Sequence, residues 1–311
     1  MTLFVLTDAD CFPFDADDRA ALAAEGVELR ELPGHEPEEV IAVAQGADAI
    51  FVYYARFPRE TIERLAGVRV LARCGTGYDN IDVAAARERG MQVVYVPDYG
   101  VEDVADHALA LMLACARKIA LSDRHVRAGE WPSYHELGPM FRLRERTLGL
   151  FGYGRIGRRL GEKGEALGMR VLAHDPYTAE ATATREELFS ASDVVSIHVP
   201  LTPETRYAVG ASELAAMKSR AILVNTARGP IVDTVALAAA LRDGHLGGAG
   251  IDVFEEAPLH PDHPLRSCEN AVLTPHSAAY TEEALAEVRK RALDDAIRVV
   301  NGKAARHPVP T

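Results

Sequence analysis

Apolar runs of strand length recur through the first hundred residues at 4–6, 27–32, 49–53, 68–72 and 92–96, separated by stretches rich in Ala, Glu and Arg. Continuous apolar runs mark strands buried on both faces, and helical stretches between them mark crossovers, so this part of the chain is expected to form a parallel sheet. Residues 98–129 read as one long helical segment. Its apolar positions Val104, Ala108, Leu111 and Met112 recur at intervals of three and four, and Trp131-Pro132 ends it. Strand-length runs resume at 148–151, follow Gly168, and continue at 194–199, 221–225, 249–253 and 272–274. Six such strands with helices between them make a doubly wound α/β sheet. Residues 281–300 read as one amphipathic helix that crosses back to the first domain. A chain of 311 residues exceeds the usual size of one core. Two domains are therefore expected, one of residues 1–100 plus 286–311 and one of residues 101–285, with the changes inside the helices near residues 100 and 285.

The apolar run 148–151 feeds directly into Gly152-Tyr153-Gly154-Arg155-Ile156-Gly157, and a helical pattern then leads to a second strand closed by Asp175-Pro176. This is a βαβ unit carrying the G-x-G-x-x-G turn of dinucleotide sites. Gly152 permits the tight turn, Gly154 lets backbone amides approach a pyrophosphate, and Gly157 lets helix and strand pack closely. A carboxylate at Asp175 accepts the ribose hydroxyls and repels a 2′-phosphate, so the expected cofactor is NAD rather than NADP. A second glycine turn, Gly75-Thr76-Gly77, also follows a strand, but the third glycine is missing. It is either a plain turn or a nest of amides for a small anion such as a substrate carboxylate.

Composition narrows the partners. Lys and Arg number 34 against 46 Asp and Glu, a net charge of −12 without any basic run, which argues against nucleic acid and anionic membranes. Cys11, Cys74, Cys115 and Cys268 are scattered without metal or disulfide spacing, so the thiols are expected to be reduced in a cytoplasm. The N-terminus reads as a first strand rather than a signal peptide, and the longest apolar helical run, 105–116, is too short to span a bilayer. His260 and His263 lack a third ligand, so no metal is expected.

Ligands of open α/β sheets bind beyond the carboxyl ends of the strands. Three loops of the second domain qualify: Thr226-Ala227-Arg228-Gly229-Pro230, Phe254-Glu255-Glu256-Ala257-Pro258 and Pro275-His276-Ser277. The planar fork of Arg228 matches a carboxylate, and His276 can move a proton near neutral pH. Glu255 and Glu256 are candidates to orient His276, which would raise its pKa. His198, Asp252, Asp106 and His107 are weaker candidates, Asp252 on the nicotinamide side.

With these motifs the sequence resembles the D-isomer-specific 2-hydroxyacid dehydrogenase family, within a group similar to phosphoglycerate dehydrogenases and C-terminal-binding-protein-like dehydrogenases. The resemblance rests on residues 73–82, 104–111, 152–157, 198–202, 224–229, 252–256 and 274–276. It implies a Rossmann NAD domain inserted in a flavodoxin-like substrate-binding domain. It also implies that Arg228 binds the substrate carboxylate and carbonyl, that His276 is the acid/base, and that Gly75, Thr76 and Gly77 present amides to the carboxylate. Thr226, Ala227, Asp252 and Ala278 would surround the nicotinamide, Val199, Pro200 and Thr205 would lie toward the adenine, and Val104 would line the cofactor site. Tyr53, Tyr54, Arg56 and Phe57 would line the substrate side. Family members are typically homodimers joined through the cofactor domain.

One position departs from the family. The glutamate that pairs with the histidine normally stands immediately before the loop proline, where this chain has Ala257. Either Glu256 takes the role through a one-residue shift or the dyad is incomplete. The sequence thus reads as an NAD-dependent oxidoreductase interconverting a small 2-keto acid and a D-2-hydroxy acid. The alternative is a non-catalytic NAD(H)-sensing protein of the same fold. Ala257 supports that alternative, and the retained pair Arg228 and His276 opposes it.

Overall fold

A computed structural model describes residues 2–310. They form two compact units, one of the residues up to Tyr99 with those from Thr281 on, the other Gly100–Tyr280. Both junctions fall at helix N-caps rather than inside helices. Gly100 precedes the helix Val101–Ala116, and Thr281 caps Glu282–Val300 by accepting the Ala284 amide at 3.1 Å. The last helix therefore belongs to the first unit from its first residue, five positions earlier than the boundary expected at 286.

The first unit holds five parallel strands, β1 (Thr2–Leu6), β2 (Val27–Glu31), β3 (Ala49–Val52), β4 (Val70–Arg73) and β5 (Gln92–Val94), in the order β2-β1-β3-β4-β5. Its side chains divide between the two faces with the period of two that a pleated strand imposes. Leu3, Val5, Ile50, Val52, Leu71 and Val93 pack on one face with Val40 and Ile62. Phe4, Leu6, Phe51 and Ala72 pack on the other with Val288, Ala292 and Ala296 of the last helix. The chain end covers the outer edge: the Val309 amide donates to the Val93 carbonyl at 3.0 Å and the Tyr95 amide to that of His307 at 3.1 Å.

The second unit holds six parallel strands, β6 (Thr147–Phe151), β7 (Arg170–His174), β8 (Val194–Ile197), β9 (Ile222–Asn225), β10 (Gly248–Ile251) and β11 (Ala271–Leu273), in the order β11-β10-β9-β8-β6-β7. The order reverses between β6 and β8. Strands β9, β10 and β11 are consecutive neighbours, so the loops that leave their carboxyl ends stand side by side at ~5 Å spacing.

The expected single helix over 98–129 is two helices, Val101–Ala116 and Ile119–Arg127. Lys118 between them adopts a left-handed φ of 55°, and its ammonium donates to the Gly247 carbonyl at 2.6 Å. The first helix buries Ala105, Ala108, Leu111 and Met112, whereas the second buries no residue at all. Among the described residues no helix is long and apolar enough to cross a membrane.

Candidate active site

The turn after β6 is shaped by backbone meeting backbone. Gly152 has φ +100°, and a Cβ there would stand 2.6 Å from the His198 carbonyl carbon and 2.7 Å from the Val199 nitrogen. A Cβ on Gly157 would run into the Gly152 carbonyl oxygen. Gly154, by contrast, faces open space and serves as N-cap of the helix Arg155–Ala166 without any side-chain cap bond. The first amides of that helix are thus left for an external acceptor, which is what a pyrophosphate needs. Asp175, just past β7, accepts the Tyr153 amide at 2.8 Å and the Tyr177 amide at 2.9 Å, which fixes its carboxylate beside the turn. Pro176 is exposed and Val104 half-buried. After β8, the Thr205 hydroxyl donates to the Pro200 carbonyl at 2.6 Å and pins the loop that starts at Val199.

The turn after β9 is built by Asn225, which the sequence reading passed over. Its side chain accepts the Ala227 amide at 3.0 Å and donates to the Arg228 carbonyl at 2.9 Å. A Cβ on the next residue, Gly229, would collide with the Phe254 carbonyl, so only glycine lets this turn press against the loop after β10. The Arg228 guanidinium donates to the Ala227 carbonyl at 2.8 Å. The Thr226 hydroxyl oxygen is buried without a hydrogen-bond partner among the described residues.

Asp252, fully buried past β10, organises the loop after β11. The His276 amide donates to its carbonyl at 2.8 Å. Its carboxylate accepts the Ser277 amide at 2.9 Å, the Ala278 amide at 3.0 Å and the Thr274 hydroxyl at 2.6 Å. His107 stands behind, its Nε2 3.0 Å from the Thr274 oxygen and 3.5 Å from the Asp252 carboxylate. Burial on its own raises the Asp252 carboxyl, but the bonds from His107, Thr274 and Ser277 outweigh it and hold the group at about 2. Asp252 is therefore a permanent anion that grips three successive residues. His276 itself sits at φ +54°, a left-handed conformation that a non-glycine residue keeps only when its surroundings impose it.

The two glutamates after β10 separate. Glu255 accepts the Thr234 amide at 3.2 Å and its hydroxyl at 2.6 Å, with His263 Nε2 3.0 Å from that hydroxyl. Glu255 thus fastens the first residue of the helix Thr234–Arg242, and Glu256 and Ala257 lie exposed on the same loop. Asp106 pairs with Lys163 at 2.6 Å, on the outside of its helix. No cluster able to hold a metal ion occurs among the described residues.

In the first unit the expected substrate-side residues divide. Tyr53 is 5% exposed, stacked on Phe12 with ring centroids 4.3 Å apart, and Phe57 is fully buried, so both belong to the core. Tyr54 is half-buried and Arg56 exposed. The intervening backbone is clamped by two residues the sequence reading did not single out. Asp8, buried and left-handed at φ 59°, accepts the Tyr54 amide at 3.1 Å and the Ala55 amide at 3.3 Å. Asn80 donates to the Tyr53 and Ala55 carbonyls at 3.2 and 2.8 Å. An acid directly beyond the first strand, where ligands meet such sheets, was the available signal for Asp8. In the Gly75-Thr76-Gly77 turn, Thr76 donates to the Val96 carbonyl at 3.0 Å.

The chain is similar to known proteins along most of its length. The model of the D-isomer specific 2-hydroxyacid dehydrogenase NAD binding domain matches residues 109–278. The glyoxylate reductase of Aeropyrum pernix is 40% identical over 280 residues, which span 86% of this chain and 84% of that protein. A solved structure from Thermus thermophilus superposes with a TM-score of 0.91 at 37% identity, covering 100% of both chains. The D-lactate dehydrogenase of Aquifex aeolicus, solved with NAD and lactic acid, gives a TM-score of 0.85 at 27% identity, covering 97% of this chain and 96% of that one.

Proposed function

The chain belongs to the D-isomer-specific 2-hydroxyacid dehydrogenase family, and on that premise we propose how its own residues carry the reaction. It is an NAD-dependent oxidoreductase that interconverts a 2-keto acid and a D-2-hydroxy acid. The residues present suit the cofactor: an uncapped helix start with open space at Gly154, an acid at Asp175, and an enclosed, unpartnered hydroxyl at Thr226. When bound, NAD supplies the hydride donor or acceptor for the substrate's C2.

The observation that carries the assignment is the Asp252 grip, which holds His276 in a strained backbone beside the strand pair whose far member presents Arg228. Arg228 binds the carboxylate and polarises the carbonyl, and His276 gives the proton in the reducing direction. Glu255 is committed to Thr234, which leaves Glu256 as the loop carboxylate to serve His276 in place of the residue replaced by Ala257. Gly75, Thr76, Gly77 and Tyr54 contribute on the substrate side, and Val199, Pro200 and Thr205 toward the adenine. His276→Ala should cost on the order of 10²–10⁴ in turnover with NADH affinity unchanged, measured as NADH consumption against a panel of 2-keto acids. Arg228→Lys should be comparably impaired, because lysine is a point charge without the fork. Turnover unchanged in both would remove the assignment. Glu256→Gln should lower the pKa on the acid/base limb of the pH profile, since a carboxylate favours the imidazolium. An unmoved limb leaves His276 unassisted.

The second unit also supports a homodimer. The helix Ile119–Arg127 buries nothing, and Ile119, Val126, Tyr134 and Met140 are exposed with Trp131, which is 89% accessible. So much apolar surface along one stretch is the mark of an interface. Trp131→Glu should shift the protein to monomers in sedimentation, and an unchanged dimer or an initial monomer would refute it.

A further inference from the structure

Arg158, in the helix that follows the glycine turn, is held by three partners. Its Nη2 donates to the Thr178 hydroxyl at 2.9 Å, its Nη1 pairs with Glu180, and its guanidinium lies over the Tyr153 ring with Cζ 4.6 Å from the centroid. Two of the three are bonded to Asp175, whose carboxylate accepts the Tyr153 amide at 2.8 Å and whose carbonyl accepts the Thr178 amide at 3.4 Å. The same bend therefore carries an acid suited to ribose hydroxyls and an arginine suited to a phosphate, since the guanidinium fork matches phosphate oxygens. A 2′-phosphate is the group that distinguishes NADPH from NADH, and it carries close to two negative charges. It would face repulsion from Asp175 and attraction from Arg158.

We propose that Glu180 is a selectivity residue for the cofactor: by occupying Arg158 it withholds that guanidinium from a 2′-phosphate, so that Asp175 and Glu180 together exclude NADPH. The proposal rests on the reading of Asp175 as the ribose acid. With Glu180 in place the three side chains sum to one negative charge, and without it to zero with a free fork. Both members of the pair are substantially exposed, Arg158 at 40% and Glu180 at 64%, so water competes for them and the discrimination they add is modest. Cofactor choice is a difference between two affinities, and here the repelling element, Asp175, is kept effective by the removal of an attracting one.

The test is fluorescence titration of the whole protein with NADH and NADPH, in the unmutated form and in Glu180→Gln, Arg158→Gln and the double variant. Glu180→Gln should tighten NADPH roughly fivefold while NADH changes less than about twofold, as expected for one exposed charge. The double variant should lose that gain, because the effect passes through Arg158, and higher salt should shrink it. All positions are on the surface, and a thermal melt of each variant checks that folding is intact. Parallel changes for both cofactors in Glu180→Gln, or a gain that survives removal of Arg158, would overturn the proposal. Equal affinities of the unmutated protein for NADH and NADPH would bring down the Asp175 reading itself, a separate outcome seen before any variant is made.

Discussion

The segments 73–77 and 151–154 both leave the carboxyl end of a buried parallel strand through a pair of glycines, yet they are finished differently. In the first, five residues separate Gly77 from the helix Val83–Glu88, and Asp82 caps that helix by accepting the Ala85 amide at 2.9 Å. In the second, the helix starts immediately after Gly154, and no side chain caps it. Behind Gly75 lies the guanidinium of Arg73, whereas behind Gly152 lies the backbone of His198 and Val199. One helix start is closed by its own side-chain cap, and the other is left open beside a rigid turn. The difference shows that a phosphate site is defined less by its glycines than by what the chain declines to put at the helix start.

The largest effect should come from attacking the rigid backing. Gly152→Ala places a Cβ in a left-handed conformation and within 2.7 Å of backbone that cannot yield. Strain and displacement together should cost about 3 kcal/mol or more in denaturant unfolding. Gly75→Ala is also strained, at φ +154°, but its Cβ meets the Arg73 side chain rather than backbone, so it should cost less. Equal losses at the two positions would erase the distinction drawn between them.

His198, whose backbone supports the second turn, provides the next test. Burial pushes its imidazole down to about 4, and its Nε2 lies 2.9 Å from the Ser196 hydroxyl. The folded-state pKa lies below the unfolded value of ~6.5, so the unfolded chain binds the extra proton first. Its contribution is fully present above pH ~6.5 and is lost as pH falls toward 4, by on the order of 3 kcal/mol. Melting temperatures recorded across that range should fall, and the slope should flatten in His198→Phe. A slope that is the same in the variant would show that His198 carries none of it.

Much of this was legible in advance where one local rule acts alone. The strands were visible as apolar runs, and the second turn as glycines between a strand and a helix with an acid one strand later. What escaped depends on partners far along the chain. Lys118 breaks a helix because its ammonium finds the carbonyl of Gly247, and no local propensity announces a left-handed lysine. Tyr53 ends a strand as a surface residue might, but Phe12 stacks on it and makes it core. Glu255 and Glu256 are equivalent by composition, and Thr234, 21 positions away, separates them. Asp252 reads in the sequence only as an acid on the nicotinamide side, and its grip on the amides of Ser277 and Ala278 requires two adjacent strands to be in register before it can be seen.

The finest test exchanges the properties of the two helix starts. Gly154→Ala adds a methyl group where nothing lies within 4 Å, at a φ of −77° that alanine accepts. Stability should fall by at most about 1 kcal/mol, because alanine is a poorer N-cap than glycine. The methyl nevertheless stands where a pyrophosphate must approach the amides, so NADH affinity should weaken by about tenfold, roughly 1.4 kcal/mol. Asp82→Ala should show the opposite signature. It removes the cap bond to Ala85 and should cost about 1 kcal/mol of stability while leaving NADH binding alone. Calorimetric titration beside thermal melts of both variants reads the two quantities independently. If Gly154→Ala binds NADH normally, the open helix start is not where the phosphates lie. If Asp82→Ala weakens NADH as much as Gly154→Ala does, the two turns are not functionally distinct, whatever their geometry.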